Sequence, residues 1–323
     1  MRHRRTLLLA GTAAALSRPA LAQGWPTRPI NIVVPFPPGG SNDLLARPLA
    51  QKLQQALGGH PVVVDNRGGA GGTVGAAQVA RSAPDGHTLL WGHIGTLAVN
   101  PWIYPNIPYD SLRDFTPVAL VATLPSVLVV HPSVPVRSAE EFVALAKAQP
   151  GKLEYGTAGN GAASHITMAA FCDAAGIELV HVPYRGNGSM LADLLAGRVK
   201  CSFAGAPVVL PAAREGRLLA LGMSAREPSL VIPDVLPVAA RAVPGFEVLQ
   251  WHGLMAPAAT PPELVQRINA AVNAGLGTSD MKERLAMEGA DAAPRTPDEF
   301  RQVITADLER FRYLVQRAGI RAD

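Results

Sequence analysis

The chain has only two cysteines in 323 residues, Cys172 and Cys201. No Cys-x-x-Cys pair and no histidine pair at helical spacing accompanies them, so the donor spacing of a metal site is missing and no metal is expected. Two thiols can pair in an oxidising compartment. Here Cys172 falls in a predicted helix and Cys201 in a predicted strand, and both read as buried thiols. No internal apolar run reaches the roughly 18–20 residues that a membrane-spanning helix needs. Aromatic residues make up 5% of the chain and seldom sit among basic ones, which argues against nucleic-acid recognition. Low-complexity tracts and fixed-period repeats are absent. The Gly-Lys-Ser/Thr of a P-loop and the Gly-x-Ser-x-Gly of a hydrolase elbow are missing too.

The chain also lacks a charge excess once its first residues are set apart. Met1-Arg2-His3-Arg4-Arg5 is a basic start, Thr6 to Leu16 is short and apolar, and Ala20-Leu21-Ala22 has the small-x-small pattern of a cleavage site. Residues 1–22 read as a secretory signal, with Gln23 opening the mature chain. Arg4-Arg5-Thr6-Leu7-Leu8 also resembles a twin-arginine signal, so both export routes stay open. No cysteine follows to take a lipid anchor. The formal charge of +4 then resides in Arg2, Arg4, Arg5 and Arg18, and the remainder has 25 basic and 25 acidic residues. Neither nucleic acid nor a membrane surface is expected as a partner.

What is present is alternation. Strand-like runs at 30–34, 61–64 and 88–91 alternate with helical patterns at 42–57 and after Gly72. Two β runs, 118–122 and 127–130, stand either side of Thr123-Leu124-Pro125-Ser126. A similar unit follows. It has a helix after Ser138, strands at 153–155, 179–182, 199–204 and 218–223, and helical stretches after 161 and at 190–196. Residues 244–257 then read as an extended strand returning to the first unit, followed by amphipathic helices at 261–276, 280–288 and 297–318. This predicts an α/β protein of two doubly wound lobes joined by two crossings. One lobe is 23–124 plus 248–323, the other 125–247, with a cleft between them.

Each unit has a glycine turn between a strand and a helix. The first is Pro-Phe-Pro-Pro-Gly-Gly-Ser-Asn-Asp at 35–43, the second Gly-Thr-Ala-Gly-Asn-Gly-Ala-Ala-Ser-His at 156–165. Helix N-termini expose N–H groups that suit an anion. Gly39 and Gly40 permit close backbone approach, and Ser41 and Asn42 add polar groups or serve as ordinary caps. Thr157, Asn160, Ser164 and the N–H groups around Gly159 and Gly161 offer the same in the second unit. Neither turn contains lysine. Arg185 is the nearest cation in sequence to the second, and reads equally as a surface ion-pair partner. Asp43 puts a negative charge beside the first turn, as a first-turn acid or as an acceptor for a solute donor. Neither turn has the Gly-x-Gly-x-x-Gly spacing of a dinucleotide site, although Asp65 lies where a ribose-binding acid would. Ser164 and His165 are adjacent and diverge on a helix, so they do not form a catalytic pair. No cofactor is expected.

Several long stretches together resemble one family, the tripartite tricarboxylate transporter receptors, or Bug proteins. They are Trp25 to Arg47, Val62 to Leu90, Tyr155 to His165, Val180 to Val199 and Trp251 to Asn269. The resemblance covers the mature chain. It implies a type II periplasmic binding-protein fold, a non-enzymatic receptor that closes over a small carboxylated solute, and delivery to a two-component membrane permease. It places the first turn at Phe36–Asp43 and the second at Thr157–His165, including Ala158. It adds Thr96, Tyr184, Arg185 and Ala206 to the cleft. A monomer is expected. The family's Pro-Asp-Val-Pro-Thr and Glu-Ser-Gly are replaced within 233–247, and Ala162-Ala163 removes hydroxyls from the second turn. A sensor docking on a signalling protein, or a secreted enzyme acting on a carboxylate, are the alternative readings.

Overall fold

The computed structural model describes residues 24–229 and 231–320; the expected export signal at 1–22 lies outside them. In chain order the elements are β1 (Ile30–Val34), α1 (Ser41–Ala56), β2 (Val62–Asn66), α2 (Thr73–Ala80), β3 (Thr88–His93) and α3 (Asn100–Ile103). The long β4 (Phe115–Val130) follows, then α4 (Ala139–Ala148), β5 (Glu154–Thr157), α5 (Ala163–Ala175), β6 (Val180–Pro183) and α6 (Asn187–Leu195). After these come β7 (Cys201–Gly205), α7 (Ala206–Arg214), β8 (Leu219–Met223), β9 (Leu249–Pro257), α8 (Pro262–Leu276), α9 (Ser279–Met287), β10 (Asp291–Ala292) and α10 (Pro297–Ala318). Among the described residues no helix is long and apolar enough to cross a membrane.

The strands form one curled sheet in the order β2-β1-β3-β9-β4-β7-β5-β6, with β8 and β10 also on β4. Its faces follow from period-2 alternation. Ile30, Ile32 and Val34 pack on the side of α1 and α8 with Leu89 and Trp91, whereas Val33 and Leu90 face the opposite core. Burial on both faces is what a parallel sheet with crossover helices requires. Helix α1 presents Leu45, Leu49 and Leu53 at i, i+4 spacing to that core. A second cluster runs the length of the molecule, through Phe115, Phe142, Phe171, Phe203, Trp251, Phe300 and Phe311.

Strand β4 changes partners along its length. Phe115 to Pro125 pair with β9, and Ser126 to Val130 pair with β7 and β8. The expected break at Thr123-Leu124-Pro125-Ser126 is therefore a continuous strand. Pro125 has no N–H for a ladder bond, and it sits where one set of partners ends, a place a sheet tolerates it. The return strand is shorter than expected: pairing starts at Leu249, and 244–248 are irregular. Helix α7 was not expected; Pro207 occupies its start, where a missing N–H costs little. Both cysteines are free, Cys201 buried and Cys172 half-buried.

Candidate functional site

In each half of the sheet the strand order reverses at one point. β1 lies between β2 and β3 in parallel, and β5 lies between β6 and β7 in parallel. Successive crossovers leave β1 and β5 in opposite directions and open a crevice at their C-terminal ends. The two glycine turns lie there, between β1 and α1 and between β5 and α5.

The first turn is held from below by Asp43. One carboxylate oxygen accepts from the Gly39 N–H (3.0 Å) and Arg47 Nε (2.9 Å), the other from Asn66 Nδ2 (3.0 Å) and Arg47 (2.8 Å). Asn66 also donates to the Phe36 carbonyl at 3.1 Å. Asp43 is only 3% exposed. Burial alone would raise its pKa, but the bonds from Arg47, Gly39 and Asn66 overcome this and hold it below the usual carboxylate range. The acid thus shapes the turn from inside. The first-turn N–H groups of Ser41 and Asn42 have no intrahelical acceptor. Gly39 has φ +83°, a conformation that favours glycine. Pro37 to Ser41 are exposed.

The second turn is held by two histidines. Thr157 is fully buried, and its hydroxyl lies 2.7 Å from His181 Nε2. The Gly161 N–H donates to His165 Nδ1 at 3.2 Å. The two imidazoles stack with centroids 3.8 Å apart, and Tyr155 stacks on His181 at 5.0 Å. Burial, with a smaller push from His181, brings the His165 pKa down to about 3, and burial lowers that of His181 as well. A neutral His165 keeps the lone pair that Gly161 needs. Ser164 Oγ accepts from the Ala158 N–H at 3.0 Å. The Tyr184 N–H donates to the Thr157 carbonyl and the Gly186 N–H to the Ala158 carbonyl, both at 3.0 Å, which joins the segment around Arg185 to this turn.

The second turn reaches the other half directly, and the first contacts the end of β3. Phe36 meets the His93 ring edge-on at 5.5 Å, and His93 Nδ1 accepts from the Gly95 N–H at 3.0 Å. Burial takes the His93 pKa to about 4. Gly95 and Gly161 wall the same small void. A Cβ on Gly161 would come 2.6 Å from Ile103 Cδ1, so the second turn packs directly on the other half. A separate cavity of about 920 Å³ lies on the opposite face of α5. Asn160, His165, His181 and Arg317 are among its walls, but no residue of the first turn is.

The remaining expected residues divide. Thr96 is fully buried and donates to the Gly71 carbonyl at 3.2 Å. The Tyr184 hydroxyl donates to Asp193 at 2.8 Å, and burial followed by that carboxylate pushes its pKa up to about 12. Arg185 is exposed and has no ion pair among the described residues. Ala206 is buried at the start of α7, against Gly289. Sequence reasoning did not find Arg47, Asn66, His93 or His181 as framework residues; Asn66, His93 and His181 act on turns remote in the chain, whereas Arg47 braces Asp43 from four residues away. It also missed a serine knot at the crossing. There the Ser126 N–H donates to Ser224 Oγ (2.9 Å), and Ser224 Oγ donates to the Val248 carbonyl (2.6 Å).

Comparison with known proteins agrees with this architecture. The family model described as the tripartite tricarboxylate transporter family receptor matches residues 45–320. A protein from the tcbD-tcbE intergenic region of Pseudomonas sp. strain P51 is 39% identical, over 99% of this chain and 96% of its own. Protein BugT of Bordetella pertussis is 37% identical, over 95% and 94%. Among solved structures, MatC from Rhodopseudomonas palustris with bound malate superposes with a TM-score of 0.74 at 34% identity, covering 90% of this chain and all of that one. R. palustris Rpa4515 with adipate gives 0.78 at 34%, covering 92% and 99%. A family model matched over residues 45–320, and relatives 37% and 39% identical across nearly the whole chain, place this protein in the tripartite tricarboxylate transporter receptor family.

Proposed function

We propose that this protein is a periplasmic receptor that captures a small carboxylated solute between its lobes and hands it to a tripartite-type membrane permease. The observation that carries the reading is the pair of braced turns at opposed switch points, each ending in helix N–H groups. Fixed neutral donors hold an anion well because they need no rearrangement when it arrives. The solutes named for two relatives, malate and adipate, are both carboxylates. We take the lobes as 23–124 plus 248–323 and 125–247; the partner exchange of β4 at Pro125 and Ser126 supports those limits. Ser41, Asn42 and the first-turn N–H groups of α5 at Ala163 and Ser164 are the first candidates for solute contact, since the Ala158, Gly159 and Gly161 N–H groups are engaged within the second turn. Arg185 is the free cation best placed in sequence to join them.

The reading is non-enzymatic. The histidines that catalysis would need serve the framework: His87 accepts from the Thr27 N–H, His252 from Trp91, His93 from Gly95 and His165 from Gly161. Native mass spectrometry of protein taken from a periplasm, followed by calorimetry with mono-, di- and tricarboxylates, tests it. One acid bound at one site is expected. Saturation at 100 times its Kd raises unfolding stability by about 2.7 kcal/mol. A bound nucleotide, or turnover of the acid, would overturn the reading.

A further inference from the structure

The void at the seam has a volume of about 10 Å³. Gly95 and Val99 wall it from one lobe, Gly161, Ile166 and Thr167 from the other, and Gln250 from β9. That is the smallest space able to hold one water, and too little for a carboxylate. Thr167 is 1% exposed, yet its Oγ1 has no hydrogen-bond partner. Threonines in helices commonly return the hydroxyl to the carbonyl four residues back. Thr305 does so in α10, donating to the Arg301 carbonyl at 2.9 Å; Thr167 does not. Gln250 Nε2 donates to Ser126 Oγ at 3.3 Å, which leaves its carbonyl oxygen able to accept. A buried hydroxyl without a partner is destabilising, whereas a valine of the same shape would suit the Ala163 and Ile166 side of the helix.

We propose that Thr167 and Gln250 hold one neutral hydroxyl-type oxygen in this void, supplied by a water or by a hydroxyl of the bound solute. The walls come from both lobes, so the site exists only when the lobes meet. An oxygen there favours the closed arrangement and strengthens solute retention. The effect on affinity rests on the receptor reading above; the occupancy of the void does not.

Two experiments test it. In a crystal structure of the lobe-closed protein, one oxygen is expected within hydrogen-bond reach of Thr167 Oγ1; an empty void overturns the proposal, whatever the protein binds. Calorimetry then compares a 2-hydroxy dicarboxylate with its deoxy counterpart on wild type, Thr167→Val and Thr167→Ser. The valine variant is expected to weaken binding about 5-fold, the equivalent of one hydrogen bond, and the serine variant to retain affinity. Equal loss for both acids identifies a water, and loss confined to the hydroxy acid identifies the solute's own hydroxyl. Unchanged affinity in the valine variant, or an equal loss in the serine variant, overturns the proposal. A wild type that binds neither these acids nor other carboxylates counts against the receptor reading alone, and the density in the void still decides this one.

Discussion

Asp43 places a negative charge beside a turn built for anions, and its surroundings remove the conflict. Arg47 neutralises it, and its oxygens face the Gly39 N–H and Asn66. Its folded pKa is depressed, so the stabilisation it gives is present above the unfolded carboxylate value of about 3.9 and is lost as pH falls through the lower folded value. Gly40 tests the solute contact itself. Its φ is −86°, and an added Cβ would meet nothing nearer than the Pro37 carbonyl at 4.0 Å. Gly40→Val should therefore fold with an unchanged melting temperature and bind the solute at least about tenfold more weakly, a loss of about 1.4 kcal/mol. Calorimetry showing wild-type affinity would remove the first turn from the site. Gly39 is a poorer probe, because its positive φ would strain any replacement.

At the scale of elements, the serine knot ties three chain segments into one joint. Ser224 bonds the start of the second half of β4 and the carbonyl just before β9. Ser224→Ala leaves the fully buried Ser126 N–H and the Val248 carbonyl without that partner, at a cost of about 1–3 kcal/mol. Urea unfolding should show this loss, and a change within a few tenths of a kcal/mol would mean the knot is incidental. No pattern in the sequence announces the joint, since Ser126, Ser224 and Val248 are brought together only by the paired strands. What the sequence did announce is local. The apolar run at Ile30–Val34 and the helical pattern at 42–57 predicted β1 and α1 nearly to the residue. The glycine turns were legible because helix N-termini and positive φ leave a composition behind. The bracing of those turns was not, because Asn66 and His181 act across 23 and 24 residues. Pro125 misled because a proline within a run reads as a break, whereas a strand that changes partners can keep one.

For the whole molecule, buried neutral histidines set the response to acid. His93 and His165 have folded pKa values of about 4 and about 3, and burial, with His93 beside it, holds His252 well below its usual value. The unfolded chain takes up these protons near pH 6.5. Stability is thus complete above that pH and declines below it, by up to about 1.4 kcal/mol per pH unit for each such histidine. Urea midpoints at pH 7.5 and 5 should differ accordingly, and His165→Asn should flatten the slope. Equal midpoints would show that these rings titrate normally.

The position of β9 also governs the order in which the chain can fold. It lies between β3 and β4, so the sheet begun by the first hundred residues stays incomplete until residues near 250 have been synthesised. The strands and helices from 126 to about 223 depend less on that late arrival and can assemble first. An emerging or exported chain therefore presents unpaired edges of β3 and β4 for most of its length, long-range contacts of the kind that fold slowly and aggregate readily.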